Sequence, residues 1–266
     1  MIKLIDGKKI SHKIFRDLAK RTKKLKTKPT LAVILIGSDK ASHLYVSIKE
    51  KRAVEIGINF KKFILPTKTK QTEVINLIKK LNLNQSITAI LIQLPLPKHL
   101  NTDKIINSVD PRKDADGIHP DSKVLPATTG AIIEALKYTK ANLKNKSVAI
   151  IGKSKIVGLP TFKYLKDKAK KINIYDSKTK NLPAECSKAD ILIVAIGKAN
   201  LIDHKYIKPS AIVIDVGINK LKGKTVGDVD FNSTESIASY ITPVPGGIGP
   251  ITVAALLSNT IKLNNK

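Results

Sequence analysis

Four polar side chains stand out because their types and places could move protons or hold a flat polar ligand: Tyr45, Lys49, Gln93 and Asp116. Tyr45 and Lys49 lie in Ser42-His-Leu-Tyr-Val-Ser-Ile-Lys-Glu-Lys-Arg52, which reads as an amphipathic helix, and their spacing puts them on one face. A lysine beside an aromatic ring in a partly dry cleft loses its proton more easily and can shuttle protons. By residue type alone, a solvated lysine on a lysine-rich helix is the plainer reading. Gln93, in Ile92-Gln-Leu-Pro-Leu-Pro97, closes an apolar strand just before a proline-stiffened turn. An amide there is either a satisfied structural group or part of a site. Asp116, in Lys113-Asp-Ala-Asp-Gly-Ile-His-Pro120, reads equally as a turn-forming Asp-Gly pair.

A second set suits a nucleotide. Val148-Ala-Ile-Ile-Gly-Lys-Ser-Lys-Ile-Val-Gly-Leu-Pro160 is a strand, a glycine turn and a helix start, the phosphate-binding geometry of a dinucleotide fold. Its spacing, Gly152-x-Ser154-x-x-x-Gly158, departs from G-x-G-x-x-G. The next strand ends in Asp176, 24 positions after Gly152. An acid there accepts from a ribose 2′-OH and favours NAD. Ser177 and Lys178 follow, and a hydroxyl and a cation could instead hold a 2′-phosphate. Gly197, in Ala195-Ile-Gly197, and Asp215-Val-Gly-Ile-Asn219 mark two more strand ends, where the ligand crevice of an open parallel sheet lies. Ordinary tight turns in a non-binding sheet are the alternative. A third stretch, Thr242-Pro-Val-Pro-Gly-Gly-Ile-Gly-Pro250, holds three prolines and three glycines in nine residues. Such a loop is stiff and bare, and it runs through Thr252 into an apolar helix start, a setting for a flat or anionic ligand.

The elements that must carry these residues alternate. Strands are expected at 31–36, 60–65, 87–92, 147–151, 171–175, 191–196 and 211–216, and helices at 12–25, 41–56, 71–81 and 157–168. Near-continuous apolar strands separated by helices indicate parallel sheets covered on both faces. The fold class is α/β, with two α/β domains in tandem. A helix through 129–138 connects them, and a helix after Thr252 returns to the first.

Composition narrows the function classes. The 266 residues suffice for two medium domains, and 42 % of them are apolar. No apolar run reaches the length of a membrane span, and the first residues do not read as a signal peptide. The single cysteine, Cys186, excludes a disulfide framework and suits a reducing compartment. The five histidines are dispersed without ligand spacing, so no metal site is expected. The formal charge of +27 raises nucleic-acid binding, but only four of the 48 basic residues are arginine and the lysines are scattered. Recognition of bases and phosphates favours the arginine fork, so no nucleic-acid partner is expected, and the lack of an apolar span makes a membrane partner unexpected as well. The positive field would suit an anionic small substrate; a catalytically dead basic binding protein is the competing class.

Eight motifs in order, over nearly the whole chain, resemble the bifunctional methylenetetrahydrofolate dehydrogenase/methenyltetrahydrofolate cyclohydrolase family. They are Ala41-Ser-x-x-Tyr-Val-x-x-Lys49, Gln93-Leu-Pro-Leu-Pro97, Lys113-Asp-x-Asp-Gly-x-His-Pro120, Gly152-x-Ser-x-Ile-Val-Gly-x-Pro160, Ala189-Asp-Ile-Leu-x-Val-Ala-x-Gly197, Ile214-Asp-Val-Gly-Ile-Asn219, Val226-Gly-Asp-Val-Asp-Phe231 and the Thr242–Pro250 loop. The resemblance implies a catalytic lysine at Lys49, a ring-stacking tyrosine at Tyr45, a lysine-tuning glutamine at Gln93 and a pterin-contacting aspartate at Asp116. It implies dinucleotide contacts at Gly152, Lys153, Ser154, Ser177 and Ile218, with Asp176, Gly197 and Thr252 as further candidates. Pro245, Gly246 and Gly247 would lie against the substrate, a tetrahydrofolate derivative. A folate-binding catalytic domain (1–118 plus 253–266), a Rossmann NAD(P)-binding domain (119–252), a cleft between them, a cytoplasmic location and a homodimer follow by the same resemblance. The expected cofactor is NADP, with NAD admitted by Asp176, which with Ser177 replaces the family's His-Ser pair. The segment between Pro120 and Thr128 is shorter than usual. These departures leave open a mainly NAD-dependent dehydrogenase with weak cyclohydrolase activity.

Overall fold

The computed structural model describes residues 2–264. In chain order its strands are β1 (Lys3–Leu4), β2 (Thr30–Ile36), β3 (Asn59–Leu65), β4 (Ala89–Ile92), β5 (Ser147–Ile151), β6 (Lys171–Tyr175), β7 (Ile191–Val194), β8 (Ile212–Asp215), β9 (Asn219–Leu221), β10 (Lys224–Val226) and β11 (Tyr240–Ile241). Its helices are α1 (Gly7–Thr22), α2 (Lys40–Glu55), α3 (Gln71–Leu83), α4 (Thr102–Ile106), α5 (Ala127–Tyr138), α6 (Gly158–Leu165), α7 (Leu182–Cys186), α8 (Phe231–Thr234) and α9 (Ile248–Leu263).

The chain forms two compact units. One holds Lys13–Ala127 and the residues from Val253 onward. Its sheet is parallel, in the order β3-β2-β4. Every residue of β2 is buried because both faces are covered. Leu31, Val33 and Leu35 face one core with Phe15 and Leu18 of α1, Val46 and Ala53 of α2, and Leu256 and Leu257 of α9. Ala32, Ile34 and Ile36 face the other, with Val74, Ile78 and Leu81 of α3 and Ile105 of α4. This is the two-residue alternation of a strand read directly in its neighbours. The edge strand β3 carries Lys61 and Lys62 on exposed positions, which blunts the edge.

The other unit runs through His12 and over Thr128–Thr252. Its six-stranded sheet, β1-β11-β8-β7-β5-β6, is parallel throughout. The order reverses at β5, which lies between β6 and β7, so the switch point of this Rossmann-type sheet falls where β5 ends. A small antiparallel hairpin, β9-β10, follows β8.

These units divide the chain differently from the boundaries read in the sequence. The first residues group with 128–252 because β1 pairs with β11 and Gly7 N–H donates to the Gly246 carbonyl at 2.9 Å. Residues 119–127 group with the Lys49 unit, where Ala127 N–H donates to the Asp116 carbonyl at 2.9 Å. Two helices also start earlier than expected. At α1, the Asp6 carboxylate accepts from Lys9 N–H at 3.0 Å and caps the first turn. At α9, the first turn takes in Gly249 and Pro250, because proline costs a helix nothing where the N–H has no partner.

Candidate active site

In the Lys49 unit, three elements bring the expected side chains together. Helix α2 is started by Asp39, whose carboxylate accepts from both the N–H and the hydroxyl of Ser42 at 2.7 Å. Tyr45 and Lys49 follow on successive turns, Tyr45 with 37 % of its surface exposed and Lys49 half-buried. Gln93 emerges from the end of β4, with its N–H held by the Ile34 carbonyl at 2.9 Å. The Lys49 ammonium donates to Gln93 Oε1 at 2.8 Å. Gln93 Nε2 donates to the Leu94 carbonyl at 2.6 Å, which leaves Oε1, and not the amide nitrogen, facing the lysine. Gln93 is thus a fixed acceptor for Lys49, with both ends of its amide satisfied.

Asp116 is placed by a clamped turn. Asp114 bridges to β4 beside Ile90, and its buried carboxylate accepts from Gly117 N–H at 3.1 Å and His119 N–H at 2.8 Å. Asn259 of α9 donates to the carbonyls of Ala115 (3.0 Å) and Leu125 (2.9 Å), pinning the chain on both sides of Asp116. Lys113 is buried too, but its ammonium serves the Leu81 carbonyl in the last turn of α3 and the Asn84 carbonyl just beyond it.

The electrostatics couple Lys49 and Asp116. Burial lowers the Lys49 pKa from the ordinary lysine value, and the Asp116 charge opposes that fall. Burial pushes the Asp116 carboxyl up to about 6, with the Lys49 ammonium pulling it down and Asp114 adding to the rise. A lysine made easier to deprotonate, fixed on an amide oxygen beside a carboxylate, is equipped to pass protons.

In the other unit, the turn after β5 is bare. Gly152 has φ +115°, and a Cβ there would lie 2.2 Å from the Ala195 carbonyl oxygen at the end of β7. Only glycine permits that approach. Lys153 and Ser154 are exposed in the turn, and Ser154 Oγ accepts from Val157 N–H (3.2 Å) and, more loosely, Gly158 N–H (3.4 Å) at the start of α6. A side-chain-poor turn opening a helix at the switch point fits the pyrophosphate of a dinucleotide. Asp176, at the end of β6, is not free: Lys153 Nζ lies 2.9 Å from its carboxylate. The hydrogen bond from Lys153, then that from Lys178 N–H, hold its pKa below the usual carboxylate range. Ser177 and Gly197 are exposed, and Ile218 is 47 % exposed. The Thr252 hydroxyl donates within α9 to the Ile248 carbonyl at 3.1 Å. In the proline-glycine loop, Pro245 is exposed, Gly246 half-buried and Gly247 buried.

Sequence reasoning did not single out Asp114, Asp215, Asp228 or Asn259. The three acids sit inside the motifs quoted above, Asp114 two positions before Asp116 and Asp215 three before Ile218. Asn259 had one signal, a polar residue within the apolar run of α9. Among the described residues no group of His, Cys, Asp and Glu could hold a metal ion, and no helix is long and apolar enough to cross a membrane.

Comparison with known proteins gives one answer along the chain. Residues 5–116 match the family described as tetrahydrofolate dehydrogenase/cyclohydrolase, catalytic domain, and residues 126–266 match its NAD(P)-binding domain. The bifunctional protein FolD of Nautilia profundicola is 44 % identical over 272 residues, spanning 97 % of this chain and 96 % of that one. The crystal structure of the bifunctional FolD methylenetetrahydrofolate dehydrogenase/cyclohydrolase from Campylobacter jejuni superposes with a TM-score of 0.95 at 41 % identity, covering 99 % of this chain and 98 % of that one. The Trypanosoma brucei enzyme, complexed with NADP and an inhibitor, gives 0.93 at 31 % identity, covering 98 % and 97 %.

Proposed function

The chain belongs to the tetrahydrofolate dehydrogenase/cyclohydrolase family, and from that premise we infer that it is a bifunctional enzyme of one-carbon folate chemistry. It oxidises 5,10-methylenetetrahydrofolate to the 5,10-methenyl form with a nicotinamide dinucleotide, then hydrolyses that product to 10-formyltetrahydrofolate. The carrying observation is the Lys49–Gln93 hydrogen bond beside Asp116, because it supplies a tuned proton carrier that the second reaction needs.

In the first reaction a hydride leaves the methylene carbon for C4 of the nicotinamide, the chemistry the dinucleotide supplies when bound. The protein has only to orient the reactants. Gly152, Lys153 and Ser154 would hold the pyrophosphate turn, Asp176 and Ser177 the ribose, and Gly197, Ile218 and Thr252 the remainder. Pro245, Gly246 and Gly247 offer a bare backbone surface to the flat ring systems. In the second reaction water adds to the amidinium carbon, the bond from that carbon to N5 breaks, and the formyl group stays on N10. Lys49 takes a proton from the attacking water and returns one to the departing nitrogen, while the remaining hydroxyl proton goes to solvent as the formyl C=O forms, the one proton the cationic substrate releases overall. Gln93 keeps the lysine aimed and accepts from its charged form. Tyr45, exposed one turn before Lys49, stacks on the aminobenzoate ring. Asp116, ionised at neutral pH, accepts from the pterin N–H donors. A cytoplasmic homodimer is the assembly and location that accord with this reading.

The test is Lys49→Met in the full chain. Cyclohydrolase activity is expected to fall by about a thousandfold or more, while hydride transfer, which uses no protein base, survives far better. Both activities surviving in full would remove Lys49 from the role given to it.

A further inference from the structure

Gly197 and Ile218 lie just past the ends of β7 and β8, in loops that strand pairing does not hold. Both loops are gathered on one side chain. Asp228, fully buried, accepts on its carboxylate from the backbone N–H groups of Ile196 (2.7 Å), Gly197 (3.0 Å) and Lys198 (2.8 Å). It also accepts from Asn219 Nδ2, beside Ile218, at 2.9 Å. A carboxylate serving consecutive N–H groups fixes the backbone that carries them, since each such bond is charge-assisted.

Asp228 is itself held. The buried Asp215 carboxylate accepts from Gly217 N–H (2.9 Å), Asp228 N–H (3.1 Å) and Val229 N–H (2.9 Å). The Thr242 hydroxyl accepts from Asp215 N–H at 2.7 Å, tying in the end of β11. The packing leaves no slack: a Cβ on Gly217 would lie 2.2 Å from Asp228 Cγ, and one on Gly227 1.8 Å from Asp215 Oδ2. The outer side of the same turn is open. Gly197 is exposed with φ +66°, and a Cβ there would meet nothing within 4 Å. The donors of 196–198 are turned inward onto Asp228, and a bare backbone surface is turned outward at the crevice end of the sheet.

We propose that Asp228 is a positioning residue for the nicotinamide cofactor, acting through the 196–198 turn and through Asn219 on the loop that carries Ile218. The proposal rests on the dehydrogenase reading. Its consequence is that both loops are set before the dinucleotide arrives, so affinity depends on a side chain that never touches it.

The test uses full-length Asp228→Asn, which keeps the shape but turns an amide NH2 toward backbone donors. Calorimetric titration with NADP, and separately NAD, is expected to show about tenfold weaker binding, and the dehydrogenase KM for the dinucleotide to rise alike with kcat within about threefold. Hydrolysis of supplied 5,10-methenyltetrahydrofolate without nucleotide should stay at the wild-type rate. Amide exchange at 196–198 should quicken in the ligand-free protein. Asn219→Ala, which removes one donor and leaves the three backbone bonds, should weaken binding in the same direction by a smaller factor. Wild-type dinucleotide binding by folded Asp228→Asn overturns the proposal, as does loss of the hydrolysis in step with dehydrogenase activity. If Asp228→Asn does not fold, unchanged binding by Asn219→Ala overturns it. A wild-type protein that turns over no folate would defeat the dehydrogenase reading, while the NADP titration would still read Asp228.

Discussion

The proton relay proposed for Lys49 would ask it to be charged at one moment and neutral at the next, and its surroundings lower the cost of both forms. Burial disfavours the ammonium; Gln93 Oε1 and the Asp116 charge favour it. Asp116 sits under the same tension from the other side. With its carboxyl pushed up to about 6, it is ionised at neutral pH and protonated below that value. In the role proposed for it, Asp116 would accept from the pterin above about pH 6 and lose that capacity as pH falls through it. Initial rates should show the KM for the folate substrate rising below about pH 6. The rise should vanish in Asp116→Asn; the same profile in that variant would assign the titration elsewhere. Asp176 permits a separate prediction. Held ionised by Lys153, it would oppose a 2′-phosphate in the ribose site proposed for it, so Asp176→His should raise the ratio of kcat/KM for NADP over NAD. An unchanged ratio would free Asp176 of any part in that choice. Gln93 and Asp116 were legible because a polar residue at a strand end or in an Asp-Gly turn invites a question. Asn259 and Asp228 answer to partners far along the chain, such as Ala115 and Ile196, and no local pattern exposes those bonds.

The central strands were legible because continuous β-branched runs have few other uses. Strand β2, whose seven residues are all buried, spans the core of its unit, and Ile34 meets the α3 side of that core without exposure. Truncating Ile34 to Ala should cost about 2–5 kcal/mol in urea unfolding followed by far-UV circular dichroism. A loss under about 1 kcal/mol would mean that the α3 face of β2 is not the tightly packed core its burial indicates. The shorter pieces were not legible. Strands β1 and β11 have two residues each, too few for alternation to register. Hairpin β9-β10 left one usable cue, Lys222-Gly223, where both residues take positive φ as a tight hairpin turn requires. The early starts of α1 and α9 followed from caps and first-turn proline, which a search for apolar periodicity passes over.

At the scale of the molecule, the chemistry is divided between two units that the chain visits more than once, and the motifs run in the family's order across both. The sequence carried fold and activity together because motif residues fall where strands end, at Gln93 after β4, Gly152 after β5 and Asp176 after β6. The excess of lysine carries no such placement; an anionic substrate, such as a folate with its glutamate tail, is the partner it suits. One chain performs both reactions in succession. The most direct test gives purified full-length protein 5,10-methylenetetrahydrofolate with NADP and, in parallel, with NAD, and follows reduced cofactor and methenyltetrahydrofolate by their separate absorbances. The expected result is steady formation of reduced cofactor with at least one dinucleotide and no build-up of the methenyl form. Methenyltetrahydrofolate accumulating in step with reduced cofactor, or no reduction with either dinucleotide, would contradict the account.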